Sequence, residues 1–329
     1  MKSISLKGEL HLCYKKIRGS LINKNIFRVL KYVLQIQSYK FSLITVLVIF
    51  IYFNPTVMSA SLEILKTNPL PTLKKERVKP GQLPHSKIST GNNNIKSVWY
   101  SGSTNSYRHG VLGDSLEATK LNVLSERGKI LTLTLPLKRV FEDLQPRLVD
   151  FNKDKKDEIV VIETDQNFGA SLAVYAIEKG NLVKITSTNF LGSPNRWLNP
   201  LGFGDFDGDG KMDIALVATP HIGGILRFYR FNKGILIPFA EYFGISTHQI
   251  GSTELGLGRV IHRSSRDLIL APDQSKRVMK LLEWRAGSIH EIAKVRLPGR
   301  VTSSLIRIKR NSWNLSLDNG YFYEILVKK

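Results

Sequence analysis

Between residues 97 and 329, apolar and polar side chains alternate in short runs, each closed by glycine, asparagine or aspartate. That spacing predicts half-buried β-strands; a helix would repeat its apolar positions every three to four residues. Four stretches share one form, an apolar run, a glycine turn and a second apolar run: LNVLSERGKILTLTL (121–135), LAVYAIEKGNLVKI (172–185), LRFYRFNKGILIPF (226–239) and MKLLEWRAGSIHEI (279–292). Their turn glycines, Gly128, Gly180, Gly234 and Gly287, lie 52, 54 and 53 residues apart. A second ladder has the same period. LVDFNKDKKDEIVVI (148–162) aligns with FGDFDGDGKMDIALV (203–217) at an offset of 55, and RDLILA (266–271) repeats MDIALV with an offset of 54. A further copy begins at YFYEILVKK (321–329).

Each unit offers four short strands, which at this period predicts an all-β fold, a β-propeller of four-stranded blades. Roughly 230 residues give between four and five units, so five blades are expected, with four to seven allowed. The last copy lacks an outer strand, and SVWYS (97–101) is the segment expected to complete it and clasp the ring.

Ahead of this region, the run FSLITVLVIFIYF (41–53) carries no charge and follows a basic stretch. As a helix it rises only ~20 Å, against a hydrocarbon core of ~30 Å. Residues 1–60 are therefore expected to hold a signal or anchor helix. A cleaved signal, an uncleaved signal anchor and a buried hairpin element all stay open. Either of the first two sends the C-terminal domain across the membrane, to the periplasm or beyond, secreted or held at the inner membrane. Residues 61–96 are rich in proline, lysine and asparagine and are expected to be a disordered linker before the propeller at 97–329.

Composition narrows the classes. The chain has 329 residues and 42% apolar side chains, enough to fill a core. Its one cysteine, Cys13, excludes a disulfide framework. The net charge of +21 points to nucleic acid or an anionic surface, but it is unevenly placed. Lys and Arg outnumber acids nine to one in residues 1–60 and seven to two in 61–97, but only 32 to 24 in the remainder. No nucleic-acid partner is expected.

DFDGDGKMD sets Asp205, Asp207, Asp209 and Asp213 at positions 1, 3, 5 and 9 of a loop with Gly208 and Gly210 between them. Carboxylates this close repel unless a cation joins them, and an all-oxygen set favours a hard ion such as calcium. Lys211 can add its backbone carbonyl. An EF-hand needs Glu at position 12, where this loop has Leu216 in a strand pattern. The sister loop keeps oxygens at Asp150, Asn152, Asp154 and Glu158 but replaces both glycines by Lys153 and Lys155. It either binds metal more weakly, holds solvated lysines, or uses the ammonium of Lys155 or Lys156 in place of an ion. In the third copy Arg259, Ile261 and Arg263 stand at positions 1, 3 and 5, and a salt bridge to Asp267 is expected instead.

GDFDGDGKMDIALV, with YRHGVLGDSLEA (107–118), VFEDLQPRLVDFN (140–152), NRWLNPLGFGDFDGDGKMDIA (195–215) and THQIG (247–251), resembles the FG-GAP/VCBS-repeat β-propellers. These are the calcium-loop propellers related to the head of integrin alpha subunits, and the likeness here is to an exported bacterial branch. The resemblance implies calcium at Asp205, Asp207, Asp209, the Lys211 carbonyl and Asp213, and more weakly at Asp150, Asn152, Asp154 and Glu158.

Polar and aromatic residues near the starts of inner strands could line a channel mouth: Arg108, His109, Glu142, Asp143, Arg196, Trp197, His248 and Arg300. They read equally as ligand contacts and as bonds between blades. No H-E-x-x-H, G-x-S-x-G, Walker or dinucleotide motif is present, and no catalytic residue is assigned. The function expected is an exported, monomeric, calcium-stabilised propeller serving as a non-enzymatic binding module for a protein or saccharide. An enzyme acting on a saccharide or polyanion is the alternative, and nucleic-acid binding stands third.

Overall fold

The computed structural model describes residues 60–71 and 78–328. The expected signal or anchor segment at 41–53 lies outside them. Among the described residues every regular element is a β-strand, and no helix is long and apolar enough to cross a membrane.

The strands form four sheets. The first joins β2 (Ser89–Thr90), β3 (Ile95–Thr104), β4 (Glu117–Ser125), β5 (Ile130–Thr134), β6 (Arg139–Phe141), β7 (Arg147–Val149), β8 (Glu158–Asp165), β9 (Gly169–Glu178) and β10 (Asn181–Ser187). The second is an antiparallel meander of β11 (Leu198–Gly204), β12 (Asp213–Ala218), β13 (Ile225–Asn232) and β14 (Ile235–Phe243). The third repeats it with β15 (Arg259–Ile261), β16 (Leu268–Pro272), β17 (Val278–Arg285) and β18 (Ser288–Arg296). The fourth sets β1 (Ser61–Thr67) beside β21 (Phe322–Lys328), followed by β20 (Ser312–Ser316) and β19 (Ile306–Lys309).

Inner strands are covered on both faces and outer strands on one. In β8 (EIVVIETD) and β12 (DIALVA) every residue is buried, matching their near-continuous apolar sequence. The outer strands β14 and β18 are only partly covered. Three apolar clusters fill the spaces. One centres on the first sheet and reaches Ile214, Leu216 and Ala218 of β12. A second joins the third and fourth sheets through Leu281, Trp313 and Ile325. The third joins the second and third through Phe206, Phe228 and Ile269.

The structure corrects the expected architecture. The described residues make four open sheets, not a closed ring of five separate four-stranded blades. Two of the expected units fuse, because β6 pairs with β4 through Ala118 and Phe141 and with β8 through Arg139–Asp165 and Phe141–Glu163. The clasp is also reassigned. SVWYS lies in β3, hydrogen-bonded between β2 and β4 and buried along most of its length. The outer position beside β21 belongs to β1, in register from Ser61–Lys328 to Thr67–Phe322. A strand buried on both faces suits a sheet interior, whereas the half-exposed SLEILKT suits an edge.

The stretch 61–96, expected as a linker, thus enters the fold at two places. Beyond β1, Leu83 is buried and its N–H donates to Tyr100 O at 3.0 Å, while Lys87 N–H donates to Leu144 O at 2.7 Å. Its polar composition concealed two buried apolar anchors, Leu83 and Ile95, and a set of backbone donors that the neighbouring strands accept.

If β1 closes the fourth sheet, Leu62→Ala with Ile64→Ala will cost about 2 kcal/mol of stability. Hydrogen exchange at Ile325 and Val327 will accelerate with it. Unchanged urea midpoints and exchange rates would return this segment to the status of a tether.

Candidate metal centre

The loop between β11 and β12 is wound by its own carboxylates. Asp205 accepts from Gly208 N–H at 2.8 Å and from Gly210 N–H at 2.9 Å. Asp207 accepts from Asp209 N–H at 3.2 Å, and Asp209 from Lys211 N–H at 2.9 Å. Gly208 and Gly210 have φ of 80° and 85°, the left-handed region that favours glycine. This winding brings one oxygen each from Asp205, Asp207 and Asp209 within 4.8 Å of one another. Among the described residues, this is the one group of three or more acids, histidines or cysteines so converged. It can coordinate a metal ion, and its oxygen-only chemistry suits a hard cation without singling out calcium.

Asp213, the expected closing ligand, begins β12 and is fully buried. Neither of its carboxylate oxygens has a hydrogen-bond partner. Burial raises its pKa to about 7; the charges of Asp207 and Asp209 add to the rise and Arg230 opposes it. Arg230, on β13, is paired in register with Asp213 and reaches over the loop. Its guanidinium contacts Asp207, with Nε 3.8 Å from Asp209 and 3.5 Å from Asp213. A fixed cation thus partly offsets the acids, and two orphaned oxygens face it. Arg230 was absent from the sequence reading. The signal was the hairpin register, which sets an Arg directly across from the ninth-position Asp.

The sister loop follows the same path without glycine. Lys153 and Lys155 have φ of 61° and 64°. Asp150 accepts from Lys155 N–H at 2.9 Å, Asn152 from Asp154 N–H at 3.0 Å and Asp154 from Lys156 N–H at 2.8 Å. Its acids do not converge as those of the first loop do. Glu158 is buried, accepts from Phe151 N–H at 3.2 Å, and is raised to about 7 by burial. Among the described residues neither Lys155 nor Lys156 is in an ion pair with the loop's acids. Instead Lys153 Nζ donates to Gly210 O at 3.0 Å and ties this loop to the first.

In the third copy the basic partner of Asp267 is His262, and neither Arg259 nor Arg263 bonds it through its side chain. Asp267 meets His262 Nδ1 at 2.9 Å and accepts the backbone N–H groups of Arg263 at 2.8 Å and Asp205 at 2.9 Å. Arg259 turns to Leu305 O at 3.0 Å and Arg263 to Asn311 at 2.9 Å.

Of the residues proposed for a channel mouth, the structure gathers four. Glu142 is fully buried, with His109 Nδ1 at 2.5 Å on one oxygen and the Thr164 hydroxyl donating at 2.6 Å to the other. Trp197 Nε1–H donates to the Glu142 carbonyl at 2.8 Å, and its ring lies edge-on to His248 at 4.8 Å. His248 Nε2–H donates to Ser252 O at 2.8 Å, so its Nδ1 accepts from His221 Nε2–H at 2.8 Å. Burial lowers His221 to about 3 and His248 to about 4, leaving both neutral. Asp143 turns the other way, to Arg147 at 2.6 Å and Tyr100 at 3.3 Å. Arg108 is exposed, Arg196 half-buried, and Arg300 lies 4.0 Å from Asp318. Sequence reasoning also missed Glu117, which is fully buried with both oxygens unpartnered. Burial, with Glu142, Asp114 and Asp143 nearby, raises it to about 10.

Two outcomes follow. Glu117 ionises near 4.5 in the unfolded chain and near 10 when folded, so stability falls as pH rises between these values. Glu117→Gln will therefore stabilise the protein by on the order of 2–3 kcal/mol at neutral pH and by nothing near pH 4, as read from urea melts. Lys155→Gly relieves a left-handed non-glycine residue and will add about 0.5–1 kcal/mol. A loss of stability in that variant would show that the lysine side chain has an attractive role.

The expectation of a calcium-stabilised closed propeller serving as a binding module does not hold, since the sheets are open; the structure has an all-β domain with an aspartate cluster. A family model described as an FG-GAP-like repeat matches residues 150–216, the segment that starts at the sister loop and ends just past the aspartate cluster. No curated protein matches the chain. The chain is a distant relative of FG-GAP-repeat proteins, through the segment that carries both acidic loops.

Proposed function

We propose that this chain is a cation-binding β-repeat domain whose loop 205–213 takes calcium. The reading rests on Asp213, a fully buried carboxylate with two unpartnered oxygens beside three convergent aspartates. Leaving such a group with only Arg230 Nε at 3.5 Å is costly, and a divalent ion would satisfy it together with Asp205, Asp207 and Asp209. Calcium tolerates the irregular, carboxylate-rich shell that magnesium, with its strict octahedron and retained waters, does not. The bound ion would stiffen the place where the second sheet meets the third, because Asp267 N–H donates to Asp205 O at 2.8 Å.

The role is architectural, not catalytic. Glu142 and Asp143 bind different partners on opposite sides, so they do not make the facing pair that glycoside hydrolysis needs. Export, expected from residues 1–60, would place the loop where weak calcium sites of extracellular modules operate.

The test is titration of the full chain with calcium and with magnesium, by calorimetry and by melting in the presence of chelator. Calcium is expected to bind and raise the melting temperature, with magnesium weaker and Asp213→Asn abolishing the gain. Arg230→Gln removes a competing cation and should tighten calcium binding. No binding heat and a melting temperature indifferent to chelator would mean that Arg230 is the loop's permanent counter-ion.

A further inference from the structure

The connections between strands separate by end. In an antiparallel meander, the acidic loops and the β-hairpin tips fall on one side, and the remaining turns on the other. Hydrogen bonds stitch the first set together. Glu126 N–H donates to Asn94 O at 2.8 Å, and Asn94 also accepts from Asp157 N–H at 2.7 Å. Lys153 reaches Gly210, Asp267 reaches Asp205, Arg263 reaches Asn311, and Val327 N–H donates to Asn311 O at 2.9 Å. A groove of about 960 Å³ in this end is lined by five lysines, among them Lys153, Lys179 and Lys233, and by the acids Asp154, Asp157, Glu158 and Glu178.

The acidic loops lie at this end as well, with Glu126, Asp154, Glu178 and Asp209 exposed, but the repeat puts a cation at one tip after another. Successive tips and turns carry Arg127, Lys179, Lys233 and Arg310, all exposed and none in an ion pair among the described residues. Beside them stand exposed aliphatic side chains, Ile130 at 59%, Ile235 at 60% and Ile308 at 38%. The exposed aromatic residues Phe168, Phe243 and Tyr321 sit at the opposite end. The chain also enters the domain here: Ser61 pairs with Lys328, eight residues after the apolar run 41–53 ends.

We propose that the cationic tips at this end dock on an anionic lipid bilayer. Cations interleaved with aliphatic tips match a headgroup layer over hydrocarbon. Single-stranded nucleic acid would instead call for exposed aromatic rings on which bases stack, and this end has none among its described residues. The proposal does not depend on which ion the 205–213 loop takes.

The experiment uses the full chain with phosphatidylcholine vesicles, with and without one-third phosphatidylglycerol. Partitioning is expected to rise about tenfold or more with the anionic lipid and to fall back as salt is added. Arg127→Glu, Lys179→Glu, Lys233→Glu and Arg310→Glu together should remove that gain while leaving phosphatidylcholine binding as it was. Lys138→Glu with Lys276→Glu, at the other end, should keep it. A milder variant, Ile130→Ser with Ile235→Ser, should reduce binding to both vesicles and guards against misfolding of the charge-reversed chain. Retention of the gain by the four-fold variant overturns the proposal. So does equally tight binding of polyphosphate or an oligonucleotide that the same variant loses, which would assign this end to a soluble polyanion.

Discussion

A carboxylate removed from water must find positive charge or hydrogen-bond donors, or give up its own charge. The buried acids of this domain meet that demand in different ways, and the differences organise the molecule. Asp267 takes a histidine and two backbone donors and so ties the third sheet to the second. Glu142 takes His109 and Thr164. Asp143 takes Arg147 and Tyr100. Asp213 has only the edge of Arg230, and Glu117 has no hydrogen-bond partner. The last two differ in what surrounds them. Asp213 lies next to a loop that gathers further oxygens, whereas Glu117 lies among buried acids at no site built for an ion.

The first two loops show one backbone path kept while its chemistry drifts, and the third, with no left-handed residue from Arg259 to Asp267, leaves that path. The first uses glycines for its left-handed positions and aspartates for its oxygens. The second holds the same turns with lysines, at a cost of about 1 kcal/mol each, and puts one ammonium on the neighbouring loop's carbonyl. The third gives its ninth-position aspartate over to joining sheets. In each, the carboxylate or its replacement satisfies backbone N–H groups that would otherwise be exposed, and that demand outlives any demand for an ion.

The strand pattern, the glycine hairpins and the period near 54 residues were legible because they are local. Lys179–Gly180 and Lys233–Gly234 adopt paired positive φ values, the two-residue turn that matches the twist of antiparallel strands. The acidic loop was legible for the same reason, since its residues bond within five positions of one another. Arg230, His221 and Glu117 were not, because each acts across strands or across sheets. Nor was the place of β1: SLEILKT has the look of a linker until β21 supplies its partner.

Sequence alone determined that the repeat region is all-β, where its turns fall, and which aspartates could converge. These follow from side-chain periodicity and from backbone geometry over a few residues. Only the tertiary structure decided that β6 fuses two units into one sheet, that β1 rather than residues 97–101 closes the last, and that Arg230 stands over the acids. Edge strands can pair with any free edge of suitable register, and a long side chain can reach any neighbour within several ångströms. Such choices are settled by which surfaces the whole fold brings together, and no local pattern records them.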